Sequence, residues 1–148
     1  MTEKNPFSKT YKKQQIESAS PGELVILLYD GAIDYLTKAQ NALQEDGIDR
    51  IEKFHNNLIS CQNIITELTA SLDMEKGGEI AKNLFRLYDF MYRKLVSANL
   101  EKNNEDLSSI KNMLVQLRDA WMKVVGKEMG KTDSQSAQST IANLDLQG

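Results

Sequence analysis

Apolar residues recur at spacings of three and four along three segments of the chain. This period places the members of each row on one face of a helix, so it predicts three amphipathic helices. Helices with such rows pack at shallow angles in bundles. The three rows are Ile51, Phe54, Leu58, Cys61, Ile65, Leu68 and Leu72; Ile80, Leu84, Leu87, Met91 and Leu95; and Leu107, Ile110, Leu114, Leu117, Trp121 and Val124.

A further helix is predicted ahead of these three, over roughly residues 21 to 44. Ser20 can cap it, Pro21 suits its first position, and Glu23 completes a capping box. Residues 24–29 are all apolar or aromatic, which is more than one helix face can bury. The row expected to face the core is Leu24, Leu27, Leu28, Gly31, Tyr35, Ala39 and Ala42, with Gly31 admitting a closely packed neighbour.

The predicted helices are joined by short polar connections. Gly77 and Gly78 indicate a tight turn, and Asn103 or Asn104 can cap the last helix. Because short loops join antiparallel neighbours, we predict an all-α fold, an antiparallel four-helix bundle over residues 20–129. Residues 1–19 are expected to form a mobile N-terminal arm, and residues 130–148 a polar, flexible C-terminal tail.

Some helices carry a second apolar row beside the first. A small bundle needs about three apolar positions in seven on each helix, and the first and third helices exceed this. Two interpretations stay open: a groove that binds an amphipathic segment of another chain, or a wide apolar core in which tyrosines are half-wet. The extra residues are Ile26, Tyr29, Ile33 and Leu36; Ile59 and Ile64; and Ala81, Phe85, Tyr88 and Tyr92.

Composition narrows the class of protein. The chain has 148 residues and a net charge of −3, which indicates one domain and speaks against a nucleic-acid partner. No apolar run approaches the 18 or so residues that span a bilayer, so membrane insertion is not expected. The first 20 residues lack the apolar segment of a secretory signal. The single cysteine, Cys61, fits a reducing compartment, and we expect a cytoplasmic protein.

The candidate chemical groups do not combine into a catalytic or metal site. Glu52 and His55 have the Glu-x-x-His spacing of a metal site in a bundle, but there is no second histidine to complete one. Cys61 has no base nearby, because His55 points to a different helix face. We therefore expect no metal, no cofactor and no enzymatic activity.

Several short blocks follow one another in a specific order between residues 5 and 125. They are NPF-x-x-x-Y at 5–11, SASPGEL at 18–24, LYDGA at 28–32, EKGGEIA-x-NL at 75–84, LYDFM-x-R-x-L at 87–95 and LR-x-AW at 117–121. In this order the blocks resemble the FliS family of flagellar secretion chaperones. Residues 130–148 match nothing in that pattern.

The resemblance implies an antiparallel four-helix bundle that acts in the bacterial cytosol. It would bind the disordered C-terminal segment of newly made flagellin, prevent premature polymerisation, and deliver flagellin to the flagellar type III export gate protein. The residues expected in the flagellin groove are Leu24, Leu28, Ile33, Ile64, Leu68, Tyr88, Met91 and Leu95. Asp30, Asp89 and Arg93 either contact the client or solvate helix faces, and Trp121 is expected in the core.

The resemblance also implies a role for the N-terminal arm. Family members place this segment over part of the groove when flagellin is absent, and Tyr11 aligns with an aromatic position linked to export-gate docking. Phe7 stands where the family usually has tyrosine, and Ile16 is a further anchor. We expect Phe7, Tyr11 and Ile16 to cover apolar surface until the client displaces them. The alternative function is a structural or regulatory bundle that self-associates, as a weak homodimer, through its surplus apolar row.

Overall fold

The computed structural model describes residues 19–129, which form four helices: α1, Pro21–Gln44; α2, Arg50–Ala70; α3, Gly78–Glu101; and α4, Asn104–Met129. The start of α1 is the capping box expected from the sequence. The Ser20 hydroxyl accepts from the Glu23 amide at 3.2 Å, and the Glu23 carboxylate accepts from the Ser20 amide at 3.0 Å. These bonds satisfy amide groups that have no partner within the helix.

The loops after α2 and α3 also follow their sequence signals. The Asp73 carboxylate accepts from the amides of Glu75 and Lys76, at 3.1 and 3.0 Å, and Gly78 adopts a φ of 55°. That conformation is costly for residues with a Cβ, so glycine suits it. The Asn103 side chain accepts from the first amides of α4, which makes Asn103 rather than Asn104 the cap.

The four helices form a closed ring. α1 packs against α2 and α4, and α3 packs against the same two helices. Late in α1, Gln40 donates to Ser108 near the start of α4, at 2.8 Å. Early in α1, Tyr29 accepts from Trp121 near the end of α4. Neighbouring helices therefore run antiparallel, and the predicted all-α antiparallel four-helix bundle is confirmed.

The core contains most of the predicted rows of α2, α3 and α4. Its buried members there include Phe54, Leu58, Cys61, Ile65, Leu68, Leu84, Leu87, Met91, Leu95, Leu107, Ile110, Leu114 and Leu117. Ile51 is an exception, because it lies in the first turn of α2 and remains 41% exposed. Trp121 is half-buried and packs against the edge of the core.

In α1 the buried row differs from the expected one. Tyr29, Ala32, Leu36 and Ala39 are fully buried, whereas Leu24, Leu27, Leu28 and Tyr35 are only half-buried. Of the two interpretations left open for the second row of α1, the burial of Tyr29 and Leu36 favours a wide apolar core at these two positions. Six consecutive apolar residues do not tell which of them faces inward, and the contacts with α2 and α4 decide it.

Close packing of α1 against α2 depends on Gly31, as the sequence predicted. A Cβ atom at this position would lie 3.0 Å from Cδ1 of Ile64. Ala32, Ala39 and Ala42 are likewise small, and all three are buried in α1. None of the helices between residues 21 and 129 has an apolar stretch long enough to cross a bilayer.

Candidate binding surface

Exposed apolar side chains gather on one face of α3 and continue onto α2. Phe85 is 45% exposed, and Tyr92 and Val96 are each 40% exposed. Their spacing of seven and then four residues places them in one row along α3. Ile59 of α2 is also 40% exposed. We call Ile59, Phe85, Tyr92 and Val96 the α2–α3 strip.

A hydrogen bond between α2 and α3 shows how the strip is assembled. The Asn99 amide donates to Nδ1 of His55 at 2.8 Å. Ile59 lies one turn after His55 in α2, and Val96 lies about one turn before Asn99 in α3. Because the two helices are antiparallel, Ile59 and Val96 are therefore level with each other. The strip therefore crosses the boundary between the two helices.

The opposite edge of α3 is different. Phe90 is exposed, but the Lys94 ammonium lies over its ring, 5.4 Å from the ring centre. Lys94 also pairs with Asp106 of α4 at 3.7 Å. A cation over an aromatic ring and a neighbouring ion pair make this edge more polar than the strip.

The eight residues expected in the groove do not lie on one surface. Leu24, Leu28, Ile33 and Ile64 are half-buried. Leu68, Tyr88, Met91 and Leu95 lie in the interior, where each is at most 1% exposed. Burial in the free chain does not test binding, so flagellin contact stays a prediction for all eight. It does show that the last four support the surface from within.

The half-buried members of this set lie along two boundaries, one between α1 and α2 and the other between α1 and α4. Ile64 touches Gly31 and so belongs to the α1–α2 boundary. Asp30 and Gln40 both contact α4, and Ile33 shares their helical row, so it lies at the α1–α4 boundary.

Sequence reasoning missed part of the strip. Phe85, Tyr92 and Ile59 were recognised as surplus apolar residues but were not placed in the groove, and Val96 was not singled out. The available signal was the spacing of Val96, four residues after Tyr92 and eleven after Phe85. That spacing shows a shared row but cannot show that the row stays exposed.

Tyr88 belongs to a chain of polar groups inside the bundle. The Tyr29 and Tyr88 hydroxyls are hydrogen-bonded to each other, and the Trp121 indole donates to the Tyr29 hydroxyl at 3.1 Å. Burial raises the pKa of Tyr88 to about 12, and burial together with Tyr88 raises the pKa of Tyr29 well above its usual value. Both tyrosines therefore stay neutral, and the chain links α1, α3 and α4.

The charged candidates form ion pairs within the bundle. Asp30 pairs with Arg118 of α4 at a partly buried position, which joins α1 to α4. Asp89 and Arg93 pair at 2.5 Å along α3, and both are well exposed. An exposed pair of this kind contributes little to stability.

The remaining candidate groups are structural. Cys61 is buried, and burial raises the pKa of its thiol to about 12, so the reactive thiolate is suppressed. His55 accepts from Asn99 as described above. Among residues 19–129, no three His, Cys, Asp or Glu side chains are grouped as metal ligands. Phe7, Tyr11, Ile16, the N-terminal arm and the C-terminal tail lie outside the described residues, so those expectations stay predictions.

Comparison with known proteins gives a consistent result. The model of the family described as flagellar protein FliS matches residues 3–128. A flagellar secretion chaperone FliS from Bacillus subtilis (strain 168) is 33% identical over 128 residues, which cover 86% of this chain and 92% of the relative. The Salmonella typhimurium protein of that name is 38% identical over 124 residues, covering 80% and 90%. The Escherichia coli K12 protein is 32% identical over 107 residues, covering 72% and 76%.

Proposed function

Because this chain belongs to the FliS family of flagellar secretion chaperones, we propose that it binds the C-terminal segment of flagellin in the bacterial cytosol. Binding prevents premature polymerisation, and the complex is delivered to the flagellar type III export gate. The observation that carries the proposal is the family match over residues 3–128.

The α2–α3 strip supports the proposal physically. A flagellin segment that is disordered when free loses conformational entropy as it orders, so its apolar contacts must exceed that cost. Four large side chains that are 40–45% exposed offer such contacts. An amphipathic helix of the client, with apolar anchors three or four residues apart, fits a row of this kind.

The other candidate residues have different roles in the proposal, depending on whether they lie at a helix boundary, in the interior or in the N-terminal arm. Leu24 and Leu28 share the helical row of Gly31, so with Ile64 they give a second contact area at the α1–α2 boundary. Ile33 gives one at the α1–α4 boundary. Interior residues support these surfaces and meet the client only if the bundle opens; they are Leu68, Tyr88, Met91 and Leu95. In the same proposal Phe7, Tyr11 and Ile16 cover apolar surface before the client arrives, and Tyr11 docks at the export gate.

A matched pair of variants tests the proposal. The double variant Phe85→Ser, Tyr92→Ser removes two exposed members of the strip. The control Val115→Ser, Met122→Ser removes two exposed apolar residues of α4 instead. The ligand is a peptide with the C-terminal sequence of flagellin from the same organism, titrated calorimetrically into each protein.

We expect one-to-one binding to the wild type with a clearly negative heat-capacity change, because apolar surface becomes buried. Each exposed ring still has about 1 kcal/mol of burial to gain. The strip variant is therefore expected to bind about 30-fold more weakly, and the control as tightly as the wild type. Equal affinity of all three proteins contradicts the assignment of the strip.

Light scattering on the same proteins distinguishes the alternative function. The exposed strip would also serve a bundle that pairs with a second copy of itself. Absence of peptide binding, together with a dimer that only the strip variant disrupts, would favour self-association over the chaperone.

A further inference from the structure

Gln62 is a buried polar residue near the α2–α3 strip. Gln62 of α2 is only 5% exposed, and its Oε1 atom has no hydrogen-bond partner among residues 19–129. A buried amide oxygen without a partner is costly, and such groups are uncommon in folded proteins. The neighbouring buried positions of α2 are apolar, including Cys61 and Ile65.

The register of α2 and α3 places Gln62 next to the strip. His55 of α2 is level with Asn99 of α3, because their side chains are hydrogen-bonded. Gln62 lies two turns beyond His55, and Tyr92 lies two turns before Asn99. The two are therefore level. Gln62 also follows Ile59 by three residues, so it shares the edge of α2 that faces α3.

We propose that the Gln62 side-chain oxygen, which is buried in the free bundle, is uncovered when the bound client displaces the side chains of the strip beside it. The oxygen then accepts a hydrogen bond from the client and so fixes the client's position along the strip. This inference rests on the proposed function. The partner atom on the client is a donor, either a side-chain amide or hydroxyl or an unpaired backbone N–H, flanked by apolar residues that contact Ile59 and Tyr92. Apolar contacts alone tolerate sliding, whereas one buried acceptor discriminates between positions of the client.

The test is a double-mutant cycle with the flagellin C-terminal peptide. Gln62→Met keeps the length and shape of the side chain but removes the acceptor. Gln116→Met is the control, since Gln116 is exposed on α4. In the peptide, each residue with a polar side chain is replaced by alanine in turn, and affinities are measured by calorimetry.

Gln62→Met is expected to weaken binding about fivefold, while thermal unfolding of the free protein shifts to the same or a higher temperature. Gln116→Met leaves both unchanged. One peptide substitution should lose its effect in the Gln62→Met background, and that position identifies the donor. For a backbone donor, the same cycle uses peptides with single ester links in place of amides.

Three results would overturn the inference. Equal affinity of Gln62→Met and the wild type for the peptide would show that the oxygen has no role in recognition. A full effect of every peptide substitution in the Gln62→Met background would show that the loss of affinity is indirect. Absence of wild-type binding would overturn the proposed function and this inference together.

Discussion

At the scale of single residues, Tyr29 links three helices through one hydroxyl group. It is hydrogen-bonded to the Tyr88 hydroxyl of α3 and accepts from Trp121 of α4. Tyr29 and Tyr88 are both almost completely buried. In such surroundings a hydrogen bond is worth more than in water, and a lost partner costs more. The family block LYDGA thus contains a residue that organises the core.

Tyr29→Phe is expected to lower the free energy of unfolding by about 1–2 kcal/mol, because Trp121 loses its acceptor and the Tyr88 hydroxyl loses its hydrogen-bond partner. Urea denaturation measures the change. Tyr35→Phe is the control, since Tyr35 is a half-buried tyrosine of the same helix, and it should change stability by less than about 0.5 kcal/mol. Equal effects of the two variants would contradict a special role for the Tyr29 hydroxyl.

Buried titratable groups predict loss of stability at alkaline pH. The pKa of Cys61 is raised from 9.0, and that of Tyr88 from 10.0, each to about 12. At a pH between the ordinary pKa of each group and its raised value, the group has lost its proton in the unfolded chain but keeps it in the folded chain. Their stabilising contribution is therefore complete below about pH 9 and is lost as pH rises towards 12.

Denaturant midpoints measured from pH 7 to 11 should fall above pH 9, and less steeply in Cys61→Ala than in the wild type. At pH 9 the folded protein should resist alkylation of Cys61, which a denatured sample undergoes readily. Equally fast alkylation of folded and denatured protein would show that the thiol is not buried as described.

At the scale of elements, α1 is shaped by its small residues. Gly31 lets α2 approach. A Cβ at Gly126 of α4, by contrast, would meet no atom within 4 Å among residues 19–129, apart from its chain neighbours and the nearby backbone of α4. The two glycines therefore have different reasons to be in a helix. One permits interhelical contact, and the other makes no packing contact that an alanine would disturb.

Gly126→Ala is expected to raise the free energy of unfolding by about 0.5 kcal/mol, because alanine favours the helix and nothing opposes its methyl group. Gly31→Ala gains the same propensity but places Cβ 3.0 Å from Ile64. Its net effect should be a smaller gain or a loss. Urea denaturation of both variants gives the answer, and an equal gain from each would refute the close approach at Gly31.

The helix boundaries illustrate what local sequence can predict. The capping box at Ser20, the turn at Gly77 and Gly78, and the cap at Asn103 all depend on side chains within a few residues of the backbone groups they satisfy. Such signals need no knowledge of the rest of the chain. The buried face of α1 does need it, since apolar residues occur nearly all around its first turns.

At the scale of the whole molecule, closing the ring of four helices decides which apolar residues stay outside. Each helix has two neighbours and one outward face. In α1 the surplus residues Tyr29 and Leu36 turn inward. In α3 the core takes Ala81 and Tyr88 from the second row, while Phe85 and Tyr92 remain outside. The predicted row of α3 therefore splits between core and surface.

This division explains why the exposed face of α3 was harder to predict than the fold. The sequence correctly indicated surplus apolar residues on α3. It could not separate Tyr88 from Tyr92, because the two differ by one turn and both are tyrosines next to a core row. Tyr88 is buried where its hydroxyl meets Tyr29 of α1, whereas Tyr92 remains 40% exposed. Contacts between helices decide this difference.

By itself, the sequence determined the four helices, their caps and turns, their antiparallel order and the family, because these depend on local spacing, short loops and the order of blocks. The tertiary structure alone decided the inward face of α1, the exposed strip across α2 and α3, and the burial of the Gln62 oxygen without a partner in the described part of the chain. Those features depend on what each side chain meets across a helix boundary, and no spacing along one helix contains that information.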